Sequence, residues 1–453
     1  MNLNGRRVTI LGMARSGMAA ANLLRRLGVV VFLSEARARG DIAEAAQIAA
    51  QWDCEFGGHT ARALDADLLV SSPGVPRNAR ILQQAQAAGV EIISEIELGW
   101  RALHPSTQLV AITGSNGKST TTALTAHLLR TCGLKAEEAG NIGRAMCSLP
   151  LETGALDVIV VEVSSFQLEW VERFQPHVGI VLNITPDHLN RYDSFDDYAA
   201  TKLRLFAAQC EGDFAILPRD DSVVNRLVGN LDATVRTFAA NDPANAHIEA
   251  DTLCLPATDW SFPLDGLPLR GPHNRLNMLA ALLAVQTLAP RFPGITAKQV
   301  LTGLRSFAPL EHRLEPVAEL NGVLYVNDSK ATNSDSVRFA LQSFDQPLRL
   351  IMGGSDKGED FAPLLPLLRQ RVASLYLLGE TAPALVKAFG QTVPYTVVGS
   401  LEEAVRLAAS DAVPGDVALL SPACASYDMF DNFEQRGKAF KQAVLALRGD
   451  PDA

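Results

Sequence analysis

Residues 113–120 read TGSNGKST, and this stretch decides the fold of the region around it. It follows the apolar run 109–112 and precedes the helical segment 121–130. A buried strand, a glycine-rich turn, a lysine and a hydroxyl residue at the start of a helix form a phosphate-binding loop. The general pattern GxxxxGK[ST] has a glycine at position 112, where this chain has Ile112. The surrounding strand and helix still predict a nucleotide triphosphate site.

Each residue type in this loop has a physical role. Glycines let backbone N–H groups approach phosphate oxygens, and Lys118 can neutralise the β/γ charge. Ser119 or Thr120 can ligate Mg²⁺ through its hydroxyl group. Glu162 follows the apolar run 158–161, and the end of the next strand is where a metal in such a site needs a carboxylate.

The same rhythm of apolar run, turn and helical segment recurs along the chain. Near-continuous apolar strands separated by helices are typical of parallel α/β sheets. The candidate strands are 8–11, 29–33, 68–70, 109–112, 158–161, 178–182, 323–326, 348–352, 375–378 and 417–420. Ligands bind at the carboxyl ends of such strands, and the polar groups found there are too many for one sheet edge.

We therefore predict an α/β protein of three domains, 1–97, 98–308 and 309–453. The first and last are expected to be Rossmann-like, and the central one to be a P-loop domain with a mostly parallel sheet. The length of 453 residues agrees with three domains of about 150 residues each.

Composition excludes several classes of protein. Hydrophobic residues make up 47% and charged residues 20%, so intrinsic disorder is excluded for the bulk of the chain. The net charge of -10 argues against non-specific nucleic-acid binding, although a local group of backbone donors can still hold a phosphate. No apolar run of about 18 residues occurs, so we expect no membrane span. The first 17 residues lead into a glycine turn, and we expect no signal peptide.

The cysteines are scattered and form no CxxC pair: Cys54, Cys132, Cys147, Cys210, Cys254 and Cys424. We expect neither a zinc site nor a disulfide framework from this spacing, and infer a reduced, cytoplasmic compartment.

A second glycine turn, GMARSG at 12–17, follows the first predicted strand. It resembles a dinucleotide-binding fingerprint, but Ala14 replaces the middle glycine. Glu35, at the end of the second strand, has the spacing that would hold a ribose. NAD and another nucleotide-linked ligand both remain open.

Three further groups are weaker signals. His188, after Asp187, could be a metal ligand, a general base or merely solvated. Lys202 lies in a helical segment, where a lysine usually extends its charge to the surface. In the last third of the chain, cationic and carboxylate groups at strand ends predict a domain that closes over an anionic ligand: His312, Arg313, Asp328, Lys330 and Lys357.

Taken together, the motifs resemble those of the ATP-dependent Mur ligase family of peptidoglycan synthesis, over about residues 6–440. The motifs are TGSNGKST (113–120), GNIG (140–143), VEVSSFQLE (161–169), DHLNRY (187–192), HNRLN (273–277), HR (312–313), NDSKATN (327–333) and SPACASYDMFDNFEQRG (421–437). The last segment, with the turn ending in Ser16 and Gly17, resembles the D-glutamate-adding member. Ala36 stands where the family often has Thr.

The resemblance implies ATP-dependent addition of D-glutamate to UDP-N-acetylmuramoyl-L-alanine through an acyl phosphate, by a cytoplasmic monomer. It implies ATP, Mg²⁺ (two ions) and a carbamylated Lys202. The implied catalytic residues are Lys118, His188, Lys202 and Lys330. The implied metal ligands are Ser119, Thr120, Glu162, His188 and Lys202.

The resemblance also implies three binding sets. The ATP set is Gly114, Ser115, Asn116, Gly117, Lys118, Ser119, Thr120, Asn277, Arg313, Asp328 and Lys330. The UDP-substrate set is Ser16, Glu35, Arg37, Ser72, Gly74, Asn141, Ser164 and His188. The D-glutamate set is Thr332, Lys357, Ser426 and Phe433.

Two alternatives stay open at this point. Another amino-acid ligase of this kind, such as a folylpolyglutamate synthase-like or diaminopimelate-adding enzyme, would need a different pocket at 421–437. A P-loop nucleotide switch would hydrolyse ATP slowly and form no amide, but it would need few of the polar groups at the strand ends.

Overall fold

The computed structural model describes residue 3 and residues 5–149, 156–241, 243–356, 358–389 and 392–449, with Asn190 described by its backbone only. The chain divides into two compact units, Met1–Gly266 with Leu276–Ser306, and Leu267–Arg275 with Phe307–Ala453. Among these described ranges, no helix has the length and apolar character needed to cross a membrane.

The first unit begins with a parallel sheet of five strands in the order β3-β2-β1-β4-β5. The strands are β1 (Arg7–Leu11), β2 (Val30–Glu35), β3 (Asp53–Phe56), β4 (Leu68–Ser71) and β5 (Glu91–Ser94). The helices are α1 (Arg15–Arg26), α2 (Ala45–Gln51), α3 (Arg80–Ala87) and α4 (Glu95–Arg101). The strand order reverses between β1 and β4, and such a reversal opens a crevice at the carboxyl ends of those two strands.

A second parallel sheet of the same unit has the order β11-β10-β9-β6-β8-β7. Its strands are β6 (Gln108–Thr113), β7 (Ala136–Gly140), β8 (Val158–Glu162), β9 (Val178–Val181), β10 (Phe214–Pro218) and β11 (Thr234–Phe238). Its helices are α5 (Lys118–Thr131), α6 (Ser165–Leu168), α7 (Phe195–Leu203) and α8 (Ser222–Leu227). Every residue of β6 and β8 is buried, so their carboxyl ends have a rigid support.

A small antiparallel sheet, with the order β12-β13-β14, follows. Its strands are β12 (His247–Glu249), β13 (Thr252–Leu255) and β14 (Trp260–Pro263), and the helices after them are α9 (Pro272–Leu288) and α10 (Ala297–Ser306).

The sheet of the second unit has the order β15-β16-β20-β17-β18-β19, and β15 alone among these strands is antiparallel to its neighbour. The strands are β15 (Glu315–Leu320), β16 (Val323–Asn327), β17 (Leu348–Gly353), β18 (Val372–Leu378), β19 (Tyr395–Val397) and β20 (Val417–Leu420). The helices are α11 (Ser334–Leu341), α12 (Leu365–Arg371), α13 (Ala382–Phe389), α14 (Leu401–Asp411) and α15 (Phe433–Ala446). Apolar clusters cover both faces of this sheet, and the predicted α/β class is confirmed.

Candidate active site

The phosphate-binding loop connects β6 to α5. Gly114 and Gly117 have φ angles of 153° and 85°, which residues other than glycine rarely adopt. A Cβ at Gly117 would also overlap the side-chain amide of Asn277, which lies on α9 and is buried. The loop therefore needs glycine here both for its turn and for its packing. The helix that follows presents its first N–H groups to the loop, which is a favourable position for phosphate.

The segment after β9 holds this loop in place. Ser115 Oγ donates to the carbonyl oxygen of Thr185 at 2.8 Å and accepts from its N–H at 3.0 Å. The Asn116 N–H donates to Asn183 Oδ1 at 2.9 Å, and Asn183 Nδ2 donates to the Asn116 carbonyl oxygen at 3.1 Å. Four hydrogen bonds thus fix the loop before any ligand binds, and preorganised donors favour binding of a charged group.

Lys202 lies on α7 and is only 2% exposed. The expectation of a lysine extended to the surface was wrong, because its Nζ donates to the Gly114 carbonyl oxygen at 2.9 Å and lies 4.7 Å from the Tyr198 ring centre. Burial, and then the nearby Lys118, lower the pKa of the Lys202 ammonium well below its ordinary value, although Asp187 and Glu162 oppose the shift. A buried lysine of this kind readily becomes a neutral, nucleophilic amine.

Glu162 ends β8 beside Ile112 of β6 and is buried. Its Oε1 accepts from Asn141 Nδ2 at 2.8 Å. Its Oε2 is also buried and has no hydrogen-bond partner within the described ranges. An uncompensated carboxylate oxygen is costly, and oxygen ligands of this type suit Mg²⁺. The predicted metal ligands Ser119 and Thr120 lie buried in the first turn of α5. These oxygen donors fit a divalent cation.

His188 follows Asp187 with a positive φ of 53°. Its Nε2 lies 3.6 Å from Asp187 Oδ2, and its ring centre lies 5.0 Å from that of Phe166. The side chain is 47% exposed, so the ring is accessible to a ligand.

A cavity of about 810 Å³ opens at the crevice between β1 and β4. Six residues of the predicted UDP-substrate set line it: Ser16, Glu35, Arg37, Ser72, Gly74 and Asn141. Ser164 and His188 are absent from its described lining. Ser164 instead caps α6, and its capping partner Gln167 lines the cavity.

Glu35 is fixed at the edge of this cavity. Its two carboxylate oxygens accept from the Met13 N–H at 2.9 Å and from the Arg37 guanidinium at 2.9 and 3.1 Å. Burial raises the pKa of Glu35, but the hydrogen bonds from Arg37 and Met13 outweigh it and lower the pKa to about 2. Glu35 is therefore ionised at neutral pH and can accept a hydrogen bond from a ligand hydroxyl or N–H group.

Sequence reasoning missed Arg15 and His59 in the lining of the cavity. Arg15 donates to the carbonyl oxygens of Asn141 and Gly143, both at 2.8 Å. Because Asn141 also holds Glu162, Arg15 connects the cavity to the buried carboxylate. The Nδ1 of His59 lies within hydrogen-bond distance of Ser34 Oγ, at 2.7 Å. An arginine inside a glycine turn was a usable signal, whereas a lone histidine on a loop was not.

In the second unit, Asp328 follows β16 and is buried. It accepts from Ser421 Oγ at 2.8 Å and from the Leu314 N–H at 3.2 Å. Burial raises the pKa of Asp328 to about 7 and outweighs these two hydrogen bonds, which lower it. His312 is buried, and its Nδ1 lies 2.9 Å from Asn327 Nδ2. Burial lowers the pKa of His312. The neighbouring Arg313 is half-buried.

Lys330 Nζ lies 3.5 Å from the centre of the Phe433 ring, a cation–π contact. The predicted D-glutamate residues Thr332, Ser426 and Phe433 all belong to this unit, and Ser426 is buried. Lys357 lies outside the described residues. The predicted ATP set is divided, with the loop and Asn277 in the first unit and Arg313, Asp328 and Lys330 in the second.

Arg436, in the motif 421–437, is a buried cation that sequence reasoning did not single out. It donates to the carbonyl oxygens of Cys424 at 3.0 Å and Ala425 at 3.1 Å, and to both oxygens of Ser329 at 2.9 and 3.0 Å. It therefore fixes the segment that begins at Ser421 against the end of β16.

Three family models match the chain: Mur ligase MurD-like, N-terminal domain at 6–94, Mur ligase middle domain at 112–285, and Mur ligase, glutamate ligase domain at 312–424. The chain is 45% identical to a UDP-N-acetylmuramoylalanine--D-glutamate ligase of Salinibacter ruber, over 97% of this chain and 98% of the relative. It is 42% identical to the protein of that name from Acidobacterium capsulatum, over 99% and 98%.

The solved pseudomurein peptide ligase type C of Methanothermus fervidus has the same fold, with a TM-score of 0.61 and 19% identity over 98% of this chain and 100% of that one. The matches span both compact units and include the sites described above. The chain therefore belongs to the Mur ligase family.

Proposed function

We propose that this chain joins the amine of D-glutamate to the alanyl carboxylate of UDP-N-acetylmuramoyl-L-alanine, with conversion of ATP to ADP and phosphate. The observation that carries the proposal is the 45% identity to a ligase of that name over nearly the full length of both chains. The anion-binding loop and the cavity of the first unit support it. The reaction belongs to peptidoglycan precursor synthesis, and we propose a cytoplasmic monomer.

A carboxylate is a poor electrophile, and the first step changes that. An oxygen of the alanyl carboxylate attacks the γ-phosphorus of ATP, and the bond from that phosphorus to the β-phosphate oxygen breaks. ADP departs, and the alanyl group is now an acyl phosphate. Two anions must approach each other for this step. Lys118 and the N–H groups at the start of α5 offset that repulsion, since preorganised donors stabilise charge in the transition state. In the same loop, Gly114, Ser115, Asn116 and Gly117 shape the phosphate site.

Residues from the end of β8, from α5, from α7 and from the loop after β9 would hold two Mg²⁺ ions. Glu162 with Thr120 or Ser119 would hold one, and His188 with a carbamate on Lys202 would hold the second. Mg²⁺ held by these residues would supply positive charge that offsets the repulsion between the phosphate and the carboxylate. The buried Glu162 oxygen without a described partner supports the first site, and the lowered pKa of Lys202 supports the carbamate.

The cavity beside β1 and β4 would bind the UDP portion. The N–H groups at the start of α1, near Ser16, suit a diphosphate. Glu35, held by Arg37, would accept a hydrogen bond from the nucleoside, while Ser72 and Gly74 line the same cavity. Asn141, with Ser164 and His188 beyond the cavity, would contact the muramoyl-alanine portion.

In the second step, the amine of D-glutamate attacks the acyl carbon. The tetrahedral intermediate then expels phosphate, and the nitrogen gives up one proton to the departing phosphate as the amide forms. Thr332, Lys357, Ser426 and Phe433 would orient D-glutamate. Asn277, Arg313 and Asp328 would bind the adenosine side of ATP, and Lys330 would act near its phosphates. We propose domain limits of 1–97, 98–308 and 309–453 for these three binding functions.

The proposal is tested by supplying UDP-N-acetylmuramoyl-L-alanine, ATP, Mg²⁺ and either D- or L-glutamate, and measuring the product by mass spectrometry. We expect an extended product with D-glutamate only. Equal use of both enantiomers, preference for another amino acid, or ATP consumption without an amide would overturn the assignment. With ¹⁸O in the alanyl carboxylate, released phosphate should carry one label, and its absence would exclude the acyl phosphate.

A further inference from the structure

The hairpin of β12 and β13 places three metal-ligating residue types together, far along the chain from the proposed Mg²⁺ ligands. His247 is paired with Cys254 across the hairpin, and Glu249 is paired with Thr252. The two turn residues, Ala250 and Asp251, have φ angles of 45° and 55°. Positive φ at both central residues is typical of a two-residue hairpin turn, which fixes the register of the strands.

This register determines which side chains share a face. Alternate residues of a strand face the same side, and directly paired residues do too. His247, Glu249 and Cys254 therefore lie on one face, and Ile248 and Leu253 lie on the other. Leu253 is fully buried, so the ligand-bearing face is the one turned away from the core.

The three side chains converge on that face. One ligand atom from each, the His247 ring nitrogen, a Glu249 carboxylate oxygen and Cys254 Sγ, lie within 4.8 Å of one another. His247 Nε2 is 4.0 Å from Glu249 Oε2. In a tetrahedral zinc site the ligand atoms are about 3.5 Å apart, given metal–ligand bonds of about 2.0–2.3 Å. Side-chain rotation of the exposed Glu249 can supply most of that approach.

The tautomer of His247 supports a metal-binding role. Its Nδ1 lies 3.2 Å from the carbonyl oxygen of Ala244, which can only accept, so Nδ1 carries the proton. Nε2, on the Glu249 side of the ring, is then the nitrogen left to bind a metal. Histidines that bind metals usually donate their other N–H to a backbone carbonyl or carboxylate in this way.

A second cluster of similar composition differs from the hairpin cluster because a lysine already neutralises it. Glu311, His312 and Glu315 also lie close together, but Lys441 Nζ donates to both carboxylates at 2.8 and 2.6 Å. That site already holds a cation. On the hairpin, the Glu249 carboxylate forms no ion pair with a lysine or arginine among the described residues, and its neighbour is His247 Nε2 at 4.0 Å.

We propose that His247, Glu249 and Cys254 form a site for a thiophilic divalent ion of the Zn²⁺ class, with water as the fourth ligand. Thiolate and carboxylate together balance the charge of the ion, and imidazole and thiolate discriminate against hard cations such as Mg²⁺. Cysteine spacing along the sequence did not predict this site, because its ligands are brought together by strand pairing.

Cobalt(II) is the probe for the test, since a bound thiolate gives a charge-transfer absorption band. The full-length protein, stripped with a chelator, is titrated with Co²⁺ in the presence of Mg²⁺. We expect a saturable band at one ion per chain that Zn²⁺ abolishes. Cys254→Ser should remove the band, and Cys210→Ser, which changes an exposed thiol elsewhere, should keep it.

Two further variants make the assignment specific. His247→Gln and Glu249→Gln should keep the band but weaken Co²⁺ binding about tenfold or more. Zn²⁺ should raise the Tm of the unaltered protein and not that of Cys254→Ser. Circular dichroism of each variant in the metal-free state checks its fold. The proposal is overturned if no band saturates, if Cys254→Ser keeps it, if Cys210→Ser loses it, or if neither ligand variant weakens binding.

Discussion

Lys118 Nζ and Lys202 Nζ donate to the same acceptor, the carbonyl oxygen of Gly114, at 2.7 and 2.9 Å. Lys118 also donates to the Ser115 carbonyl oxygen at 2.8 Å. Two ammonium groups on one carbonyl oxygen repel each other, and Lys202 is the more buried of the two. The pair therefore favours a neutral Lys202 beside a charged Lys118, which gives the two lysines different chemistry.

Lys202 should accordingly react with carbon dioxide. We expect ¹³C-bicarbonate to give a carbamate signal by NMR that is missing in Lys202→Arg, because a guanidinium does not form this adduct. Lys202→Arg should lose activity by about 10²-fold or more, the usual cost of losing a stabilising group at the reacting centre. Lys298→Arg, on the exposed surface of α10, is the control and should keep both the signal and the activity. A fully active Lys202→Arg variant would exclude a carbamate from the reaction.

Lys118 is the loop lysine that we propose to face the phosphates of ATP. We expect Lys118→Ala to fold, since the loop keeps its hydrogen bonds through Ser115 and Asn116. Turnover should fall by about 10²–10³-fold with loss of this stabilising charge. Product formation and circular dichroism measure the two effects separately. A folded Lys118→Ala variant with normal turnover would remove the loop lysine from the mechanism.

Arg15 should act as a positioning residue for the metal carboxylate. It holds the backbone of Asn141, whose side chain holds Glu162. Changing a partner behind a metal ligand typically costs about 10–100-fold in metal affinity or activity. We expect Arg15→Met to raise the Mg²⁺ concentration needed for half-maximal activity within that range. Arg26→Met, at the other end of α1, is the matched control.

If Arg15→Met changed only the KM for the UDP substrate and left the Mg²⁺ requirement unchanged, Arg15 would belong to the cavity wall alone. Arg15 would then have no effect on the metal carboxylate Glu162 through Asn141.

Asp328 predicts a specific pH dependence of stability. Its pKa is about 7 in the folded protein against an ordinary value of 3.8. Between about pH 4 and pH 7 the folded state keeps a proton that the unfolded state has released. The free energy of unfolding should therefore fall as pH rises through this interval and level off above pH 7.

Asp328→Asn mimics the protonated form and should lack this contribution. Chemical denaturation at several pH values gives the difference between the two proteins, in which the shared titrations of other groups cancel. We expect the unaltered protein to lose stability relative to Asp328→Asn as pH rises toward 7. A constant difference over that range would contradict the raised pKa.

The strands with long apolar runs, such as β6, β8 and β17, were predictable because both faces of a parallel sheet are buried. The inner strand β10 and the small sheet β12-β13-β14 were missed, and so was every edge strand of the three large sheets: β3, β5, β7, β11, β15 and β19. No edge strand is buried along its whole length, and residues 395–397 of β19 are exposed. Edge strands of this kind lack a long apolar run. They form because they pair with a neighbouring strand, which the local sequence does not reveal.

The candidate site divides in the same way. The phosphate loop and Glu162 follow from local sequence, because each is a fixed turn or end of a strand. The burial of Lys202 depends on how α7 packs against Gly114, and the place of Arg15 depends on a loop 126 residues away. Those relations arise from tertiary packing, which a single sequence does not display.

Glu162 Oε2, which has no hydrogen-bond partner among the described residues, has a consequence for inhibitor design. A compound that fills the nearby cavity could extend an amidine or ammonium arm toward this oxygen and satisfy it without recruiting an ion. Such a compound should bind the magnesium-depleted enzyme more tightly than the magnesium-replete one. Drug candidates selected only at saturating magnesium would overlook that class.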